Sequence, residues 1–188
     1  MLKVIILENL KVNYNNTMFS FLKKSIIIAL LLSTTILGSN PIKISLIERI
    51  TQFIQWPSLD EEFIIGIYKN KKLRNDMIEA YDGKFIHDLP IEVVNIKNYK
   101  DIKLKKINLL YFTEDATKEI DKIINKIKKD PVLIITESAN DVYQGMHLGF
   151  YYKNKRIKFV INQQSLENAQ LKASYKILKL AKIVKVEK

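Results

Sequence analysis

The stretch FIQWPSLDEEFIIGIY, Phe53–Tyr68, joins two kinds of local structure. Upstream of it, Ile42, Leu46, Ile47, Ile50, Phe53 and Ile54 recur at helical spacing and draw one apolar stripe, with Lys43, Glu48, Arg49 and Gln52 mostly off it. Asn40 followed by Pro41 reads as a helix start, a capping side chain and then a proline at the first helical position. Pro57 pushes the residue before it out of the α region, so this helix is expected to close at about Gln55. Downstream, FIIGIY is a short continuous apolar run with β-branched residues, the pattern of a buried strand. Trp56, the only tryptophan, stands at the join. It reads as a plug at the end of the core first and as a partner contact second.

Working outward, strands and helices alternate. KLRNDMIEAY is helical, YDGK (Tyr81–Lys84) is turn chemistry, IEVVNI (Ile91–Ile96) is a second strand and INLLYF (Ile107–Phe112) a third. Thr113 is expected to cap a helix with Ile120, Ile123, Ile124 and Ile127 on one face, and Pro131 precedes a fourth strand, VLIITE. Met146–Tyr152 and Arg156–Asn162 flank a polar turn at Lys153–Lys155 and read as a hairpin, after which Asn162 caps a short helix. A closing helix from about Lys172 carries Ala173, Ile177, Leu178, Leu180, Ala181 and Val184 on one stripe; Phe159 and Leu178 are core positions by periodicity. The order predicts an α/β sandwich with a mostly parallel central sheet, an antiparallel hairpin at one edge and helices on both faces. Residues 40–188 read as one domain.

Composition limits the function classes. Cysteine is absent, so disulfides, thiolate metal sites and a lipid-modified cysteine anchor are excluded. The formal charge is +11, carried almost entirely by lysine, with arginine only at Arg49, Arg74 and Arg156. Nucleic-acid readers favour the arginine fork, which a lysine point charge does not reproduce, so a solvated lysine surface and no nucleic-acid partner are expected.

The segment from Met18 to Asn40 has the layout of a signal peptide. Lys23 and Lys24 form a positive region, Ser25–Leu37 is an uncharged apolar run too short to span a bilayer, and Gly38 and Ser39 are small. Residues 1–39 are therefore expected to be an N-terminal extension and signal peptide, with Met18 the true start. Loss of residues 1–38 removes four lysines and one glutamate and leaves a charge of +8.

No catalytic pattern emerges. His87 and His147 lack any HxxxH or HExxH context and read as solvated or core-edge histidines. The acids at Asp60-Glu61-Glu62, Glu114-Asp115 and Glu137 fit turn and helix-terminus roles. There is no G-x-S-x-G elbow and no glycine-rich phosphate loop; Gly66, inside a strand, suggests close backbone approach. Neither cofactor nor metal is expected, and an enzyme is not. A cleft holding Glu137, Asp141 or His147 with displaced pKa values would revive one.

Several segments together resemble the YfiR family. FIQWP after an amphipathic helix is similar to its F-x-x-WP unit, with Phe53, Trp56 and Pro57 in place. PVLIITES resembles its strand before a loop that ends in glycine, here Gly145. RIKFVIN matches its F-x-I-N strand at Phe159, Ile161 and Asn162, and LKASYKILKLAKIV matches its LL-x-LA segment with Leu178, Leu180 and Ala181. The resemblance spans roughly Ile44–Val184. It implies an exported periplasmic domain that represses a membrane-anchored diguanylate cyclase and so lowers cyclic di-GMP and biofilm growth. The family's disulfide-forming cysteines are missing, so a thiol switch cannot operate here. Arg49 stands where the family often has asparagine, and Gly145 alone remains of its frequent glycine pair.

The leading reading is thus a periplasmic regulatory protein that binds an inner-membrane sensor, touches the membrane only through that partner, and can pair with itself. A small ligand-binding module working with a sensor kinase is the second reading, and a membrane-surface role for the basic residues of the closing segment is a weaker one. The candidate partner contacts are Trp56 and Pro57, with Tyr151 and Tyr152 beside the hairpin, because aromatic side chains are favoured interface anchors.

Overall fold

A computed structural model describes residues 39–184. In chain order the elements are α1 (Ser39–Thr51), β1 (Ile54–Gln55), β2 (Phe63–Tyr68), α2 (Lys71–Tyr81), β3 (Phe85–Ile86), β4 (Leu89–Ile96) and α3 (Tyr99–Leu104). Then come β5 (Leu109–Phe112), α4 (Thr117–Ile127), β6 (Leu133–Thr136), α5 (Ala139–Tyr143), β7 (Leu148–Lys153) and β8 (Arg156–Asn162). The described chain ends with α6 (Gln163–Asn168), β9 (Lys172–Ala173), α7 (Tyr175–Leu178) and β10 (Lys182–Val184). The signal-peptide expectation falls on residues outside those described.

The expected architecture is present: a mostly parallel sheet with helices on both faces. An eight-stranded sheet has the order β10-β8-β7-β6-β5-β2-β4-β3. Its β4-β2-β5-β6-β7 run is parallel, while β3 on β4 and the β7–β8 hairpin are antiparallel. Side chains of successive strand residues point to opposite faces, and both faces are covered. Phe63, Ile65 and Ile67 of β2, with Leu109 and Tyr111 of β5, join Ile47 and Ile50 of α1 and Leu73 and Met77 of α2 in one core. Leu110 and Phe112 of β5 and Ile134 of β6 join Ile102 of α3, Ile123 and Ile127 of α4 and Val142 of α5 in the other. Each fully buried aliphatic side chain of this kind contributes about 1.5–3 kcal/mol.

Turn chemistry behaves as the sequence suggests. Gly83 has φ +65° in the turn after α2. The hairpin turn is tighter than expected: Lys153 and Arg156 are paired, and Asn154 and Lys155 take φ +52° and +59°. Positive φ at both central residues is the type I′ geometry that matches strand twist.

Four local expectations are corrected. First, α1 begins at Ser39, so Asn40 lies within it; its amide donates to Asp76 instead of capping. The helix ends at Thr51, not near Gln55, with Thr51 Oγ1 bonding back to Ile47 O and Phe53 N–H to Ile50 O. Ile54 and Gln55 then pair with Ala173 and Lys172, so Pro57 follows a strand and does not stop the helix. Second, Thr113 does not cap α4. A 3-10 turn at Glu114–Ala116 intervenes, and α4 starts at Thr117 with no side-chain cap.

Third, the expected closing helix from Lys172 is three short pieces. Lys172–Ala173 pairs with β1, Tyr175–Leu178 makes one helical turn, and Lys182–Val184 pairs parallel to Val160–Asn162 of β8. Ile177 is buried and Leu178 half-buried, but Leu180 is 71% exposed, so the single stripe does not exist. Fourth, the crowding at Gly66 comes from side chains. An added Cβ would stand 2.7 Å from Ile96 Cγ1 and 3.2 Å from Ile107 Cγ2. Close backbone approach occurs at Gly149, where a Cβ would meet Ser138 O at 2.5 Å.

Candidate functional site

The parallel strands β5, β6 and β7 present their C-terminal ends on one edge of the sheet, the edge where open α/β sheets place their ligands. A polar cluster is built there. Lys43 of α1 has its Nζ 2.9 Å from Glu137 Oε1, just past β6, and Tyr111 OH of β5 donates to the same oxygen at 2.9 Å. The Lys43 and Glu137 side chains are only 11% and 16% exposed. Burial, and then the charge of Glu137, hold the Tyr111 phenol far above its usual range, so it stays protonated and donates. Next to Glu137, Thr136 Oγ1 donates to Asp141 Oδ2, and the Ser138 amide donates to Thr136 Oγ1, which fixes the β6–α5 corner.

Tyr151 and Tyr152 lie at this same end, on the outgoing half of β7. Tyr152 is 58% exposed, whereas Tyr151 points the other way and packs half-buried against the α4 and α5 side. The two tyrosines therefore present different faces.

Trp56 and Pro57 lie at the opposite end of the sheet. Trp56 Nε1–H donates to Asn108 O, just before β5, at 3.3 Å. The indole meets Phe63 edge-on at a centroid distance of 5.2 Å and His87 at 5.5 Å. It packs half-buried on the first core, while Pro57 is exposed. Trp56 and Pro57 also line an open groove of about 440 Å³ with Gln55, Leu171 and Lys172. The four aromatic and proline candidates thus form two separate places, not one surface.

Of the family-motif positions, Asn162, Gly145 and Phe159 have identifiable places in the packing, whereas Pro57 and Leu180 are exposed. Asn162 is fully buried: its Oδ1 accepts from Ser165 N–H, which caps α6, and its Nδ2 donates to Val142 O, which ties α5 to β8. Gly145 has φ +113° in the turn into β7. Phe159 is buried in the first core, with Phe53, Leu178 and Ala181 packed at its margin.

Sequence reasoning missed Lys43, set mostly off the α1 stripe. Its spacing to Ile47, Ile50 and Ile54 is the same 3.6-residue repeat, and that was the available signal. His147, expected to be solvated or at the core edge, is buried instead. His147 is 1% exposed; its Nδ1 accepts from Ile134 N–H at 3.0 Å, and burial lowers its pKa to about 4. His87 is half-buried, with Nε2 3.2 Å from Thr51 O. Among the described residues no group of three or more histidine and acidic side chains converges to hold a metal, and no helix is long and apolar enough to cross a membrane.

The family model described as YfiR/HmsC-like matches residues 40–182, nearly the whole described domain. The chain belongs to this family. In the structure the segments named above lie as follows: Trp56–Pro57 between β1 and β2, Gly145 before β7, Phe159–Asn162 at the end of β8, and Leu171–Val184 across β9, α7 and β10. No curated protein matches the chain. Among solved structures, the ABC domain in complex with L-Trp from Streptococcus pneumonia is similar with a TM-score of 0.50 and 12% sequence identity. The match covers 75% of this chain and 60% of that one, and it is a likeness of fold alone.

Proposed function

We propose that this YfiR/HmsC-like domain is an exported periplasmic regulatory protein that represses or modulates a membrane-bound diguanylate cyclase, and through it cyclic di-GMP, by protein–protein binding. The observation that carries the reading is the family match over residues 40–182. In this reading residues 1–39 are the export signal, and residues 40–188 are the working domain. The domain binds one conformation of the sensor's outer region better than the other. A differential of about 1–3 kcal/mol is enough to move the output. Tyr152 is the exposed anchor at the C-terminal edge, the end of the sheet that also carries the Lys43–Glu137–Tyr111 cluster. Pro57 and the rim of Trp56 offer a second contact at the other end.

Deleting the gene should raise cellular cyclic di-GMP, and the tagged protein should bring down an inner-membrane protein with a cyclase output domain. Unchanged cyclic di-GMP with no such protein recovered overturns the proposal. Recovery of a sensor kinase in place of a cyclase would transfer the same binding role to that partner and refute the cyclase assignment.

A further inference from the structure

A second site lies at the opposite edge of the sheet from the Lys43–Glu137 cluster, and it does not rest on the regulatory reading. A groove of about 520 Å³ opens between the end of α4, the α5–β7 turn and α6. Its lining includes His147, Lys128, Lys129, Gln144, Asn168 and Gln170. Lys128 and Lys129 are positive, the side-chain amides can donate or accept, and no carboxylate lines the groove.

The buried imidazole gives the groove a direction. Its Nδ1 is occupied by the Ile134 N–H, so in the neutral ring the proton sits on Nε2. Nε2–H has no hydrogen-bond partner among the described residues, in a side chain that is 1% exposed and lines the groove. An acceptor in the groove would give this donor a fixed partner in place of water.

The lysines are not committed elsewhere. Neither Lys128 nor Lys129 makes an ion pair among the described residues. The last turn of α4 does not need them as caps, because Ile124 O accepts from the Lys128 amide and Ile127 O from the Asp130 amide. The acids next in sequence are turned away. Glu167 accepts from the Gln163 amide and lines the Trp56 groove, and Asp130 lies 3.8 Å from Lys103.

We infer that this groove binds the oxyanion of a small metabolite, a carboxylate or a phosphate, with His147 Nε2–H as the donor at its floor and Lys128 and Lys129 as the charge. Charge-assisted bonds of this type are the strong ones, and the side-chain amides of Gln144, Asn168 and Gln170 would set the orientation.

The test is a nitrogen-15 spectrum of the two histidine rings in the full chain, titrated with inorganic phosphate and, separately, with succinate. His147 Nε2 should shift saturably with at least one probe while His87 stays still. The double variant Lys128→Ala/Lys129→Ala, both surface changes, should weaken that binding about tenfold or more, the worth of one charge-assisted hydrogen bond. Saturation by phosphate alone assigns the phosphate class, and by succinate alone the carboxylate class. The inference is overturned if neither probe moves His147, if His87 moves in step with it, or if the double variant binds as tightly as the parent.

Discussion

Lys43 and Glu137, 94 residues apart in sequence, are locked at 2.9 Å across the C-terminal edge of the sheet, with Tyr111 donating to the same carboxylate oxygen. The pair is largely withdrawn from water, so its two halves are not equivalent under mutation. Glu137→Ala leaves a buried ammonium and a buried phenol without their acceptor. It should cost about 2–4 kcal/mol, less than a fully buried charge would because both side chains keep some exposure. Lys43→Met removes the charge and keeps the apolar stem, and should cost about 1 kcal/mol or less. Urea unfolding of both variants decides the matter; a Lys43→Met cost as large as that of Glu137→Ala would overturn the asymmetry, and negligible costs for both would show a solvent-screened surface pair.

Much of this edge was legible from the chain and some was not. FIIGIY and VLIITE read correctly because a short β-branched run buried on both faces has few other uses, and RIKFVIN because a polar turn separates it from a matching strand. LKASYKILKLAKIV misled because its apolar residues do repeat at helical spacing. The free edges of β1 and β8 offered backbone partners that a surface helix could not match, and Ala173 and Ile183 were drawn into pairing. Tertiary pairing outweighed local propensity there. The same blindness hid the site. Lys43 showed its inward phase in the α1 repeat, but only the fold brings Glu137 and Tyr111 to it. His147 carried no signal of burial, because its Nδ1 replaces a strand acceptor for Ile134, and no spacing encodes that.

His147 makes stability depend on mild acid. In the unfolded chain the imidazole takes up a proton near pH 6.5, whereas burial keeps the folded ring neutral until about pH 4. Between those values the unfolded state binds more protons. Stability therefore falls as pH drops through that window and is unaffected by this group above it. The full loss is about 3 kcal/mol. His147→Asn offers an acceptor near the Nδ1 position without a titrating group. Its unfolding free energy should lose most of the slope between pH 6.5 and 4. A slope equal to the parent's would place the titration elsewhere.

The glycines separate backbone crowding from side-chain crowding. At Gly149 an added methyl meets Ser138 O at 2.5 Å and Val142 Cγ2 at 2.6 Å, and the carbonyl belongs to the pinned β6–α5 corner. At Gly66 the nearest obstacle is the Ile96 side chain, which has other rotamers. Gly149→Ala should cost about 2–4 kcal/mol and Gly66→Ala about 1–2 kcal/mol. Gly145→Ala has open space around it but must hold φ +113°, so backbone strain alone should cost about 1–3 kcal/mol. Thermal melts of the three variants rank the costs, and Gly66→Ala as the most damaging would contradict the argument.

Trp56 bears on the family's W-P unit, and two substitutions resolve what it does. The indole seals the first core beside Phe63 and His87, and its N–H reaches Asn108 O. That carbonyl also accepts from Leu133 N–H at 2.8 Å, and Asn108 Oδ1 accepts from Ile64 N–H at 2.7 Å. Asn108 therefore stays satisfied when the indole N–H is lost. Trp56→Phe keeps an edge-on ring and should cost only about 0.5–1.5 kcal/mol. Trp56→Ala strips the half-buried ring from Phe63 and should cost about 2–3 kcal/mol, below the range for a fully buried tryptophan. This ratio follows from a plug whose value is its area and not its polar atom. If Trp56→Ala leaves the unfolding midpoint where it was, the ring is not sealing the core. The exposed rim it shares with Pro57 and the 440 Å³ groove would then be the reason for its place in the chain.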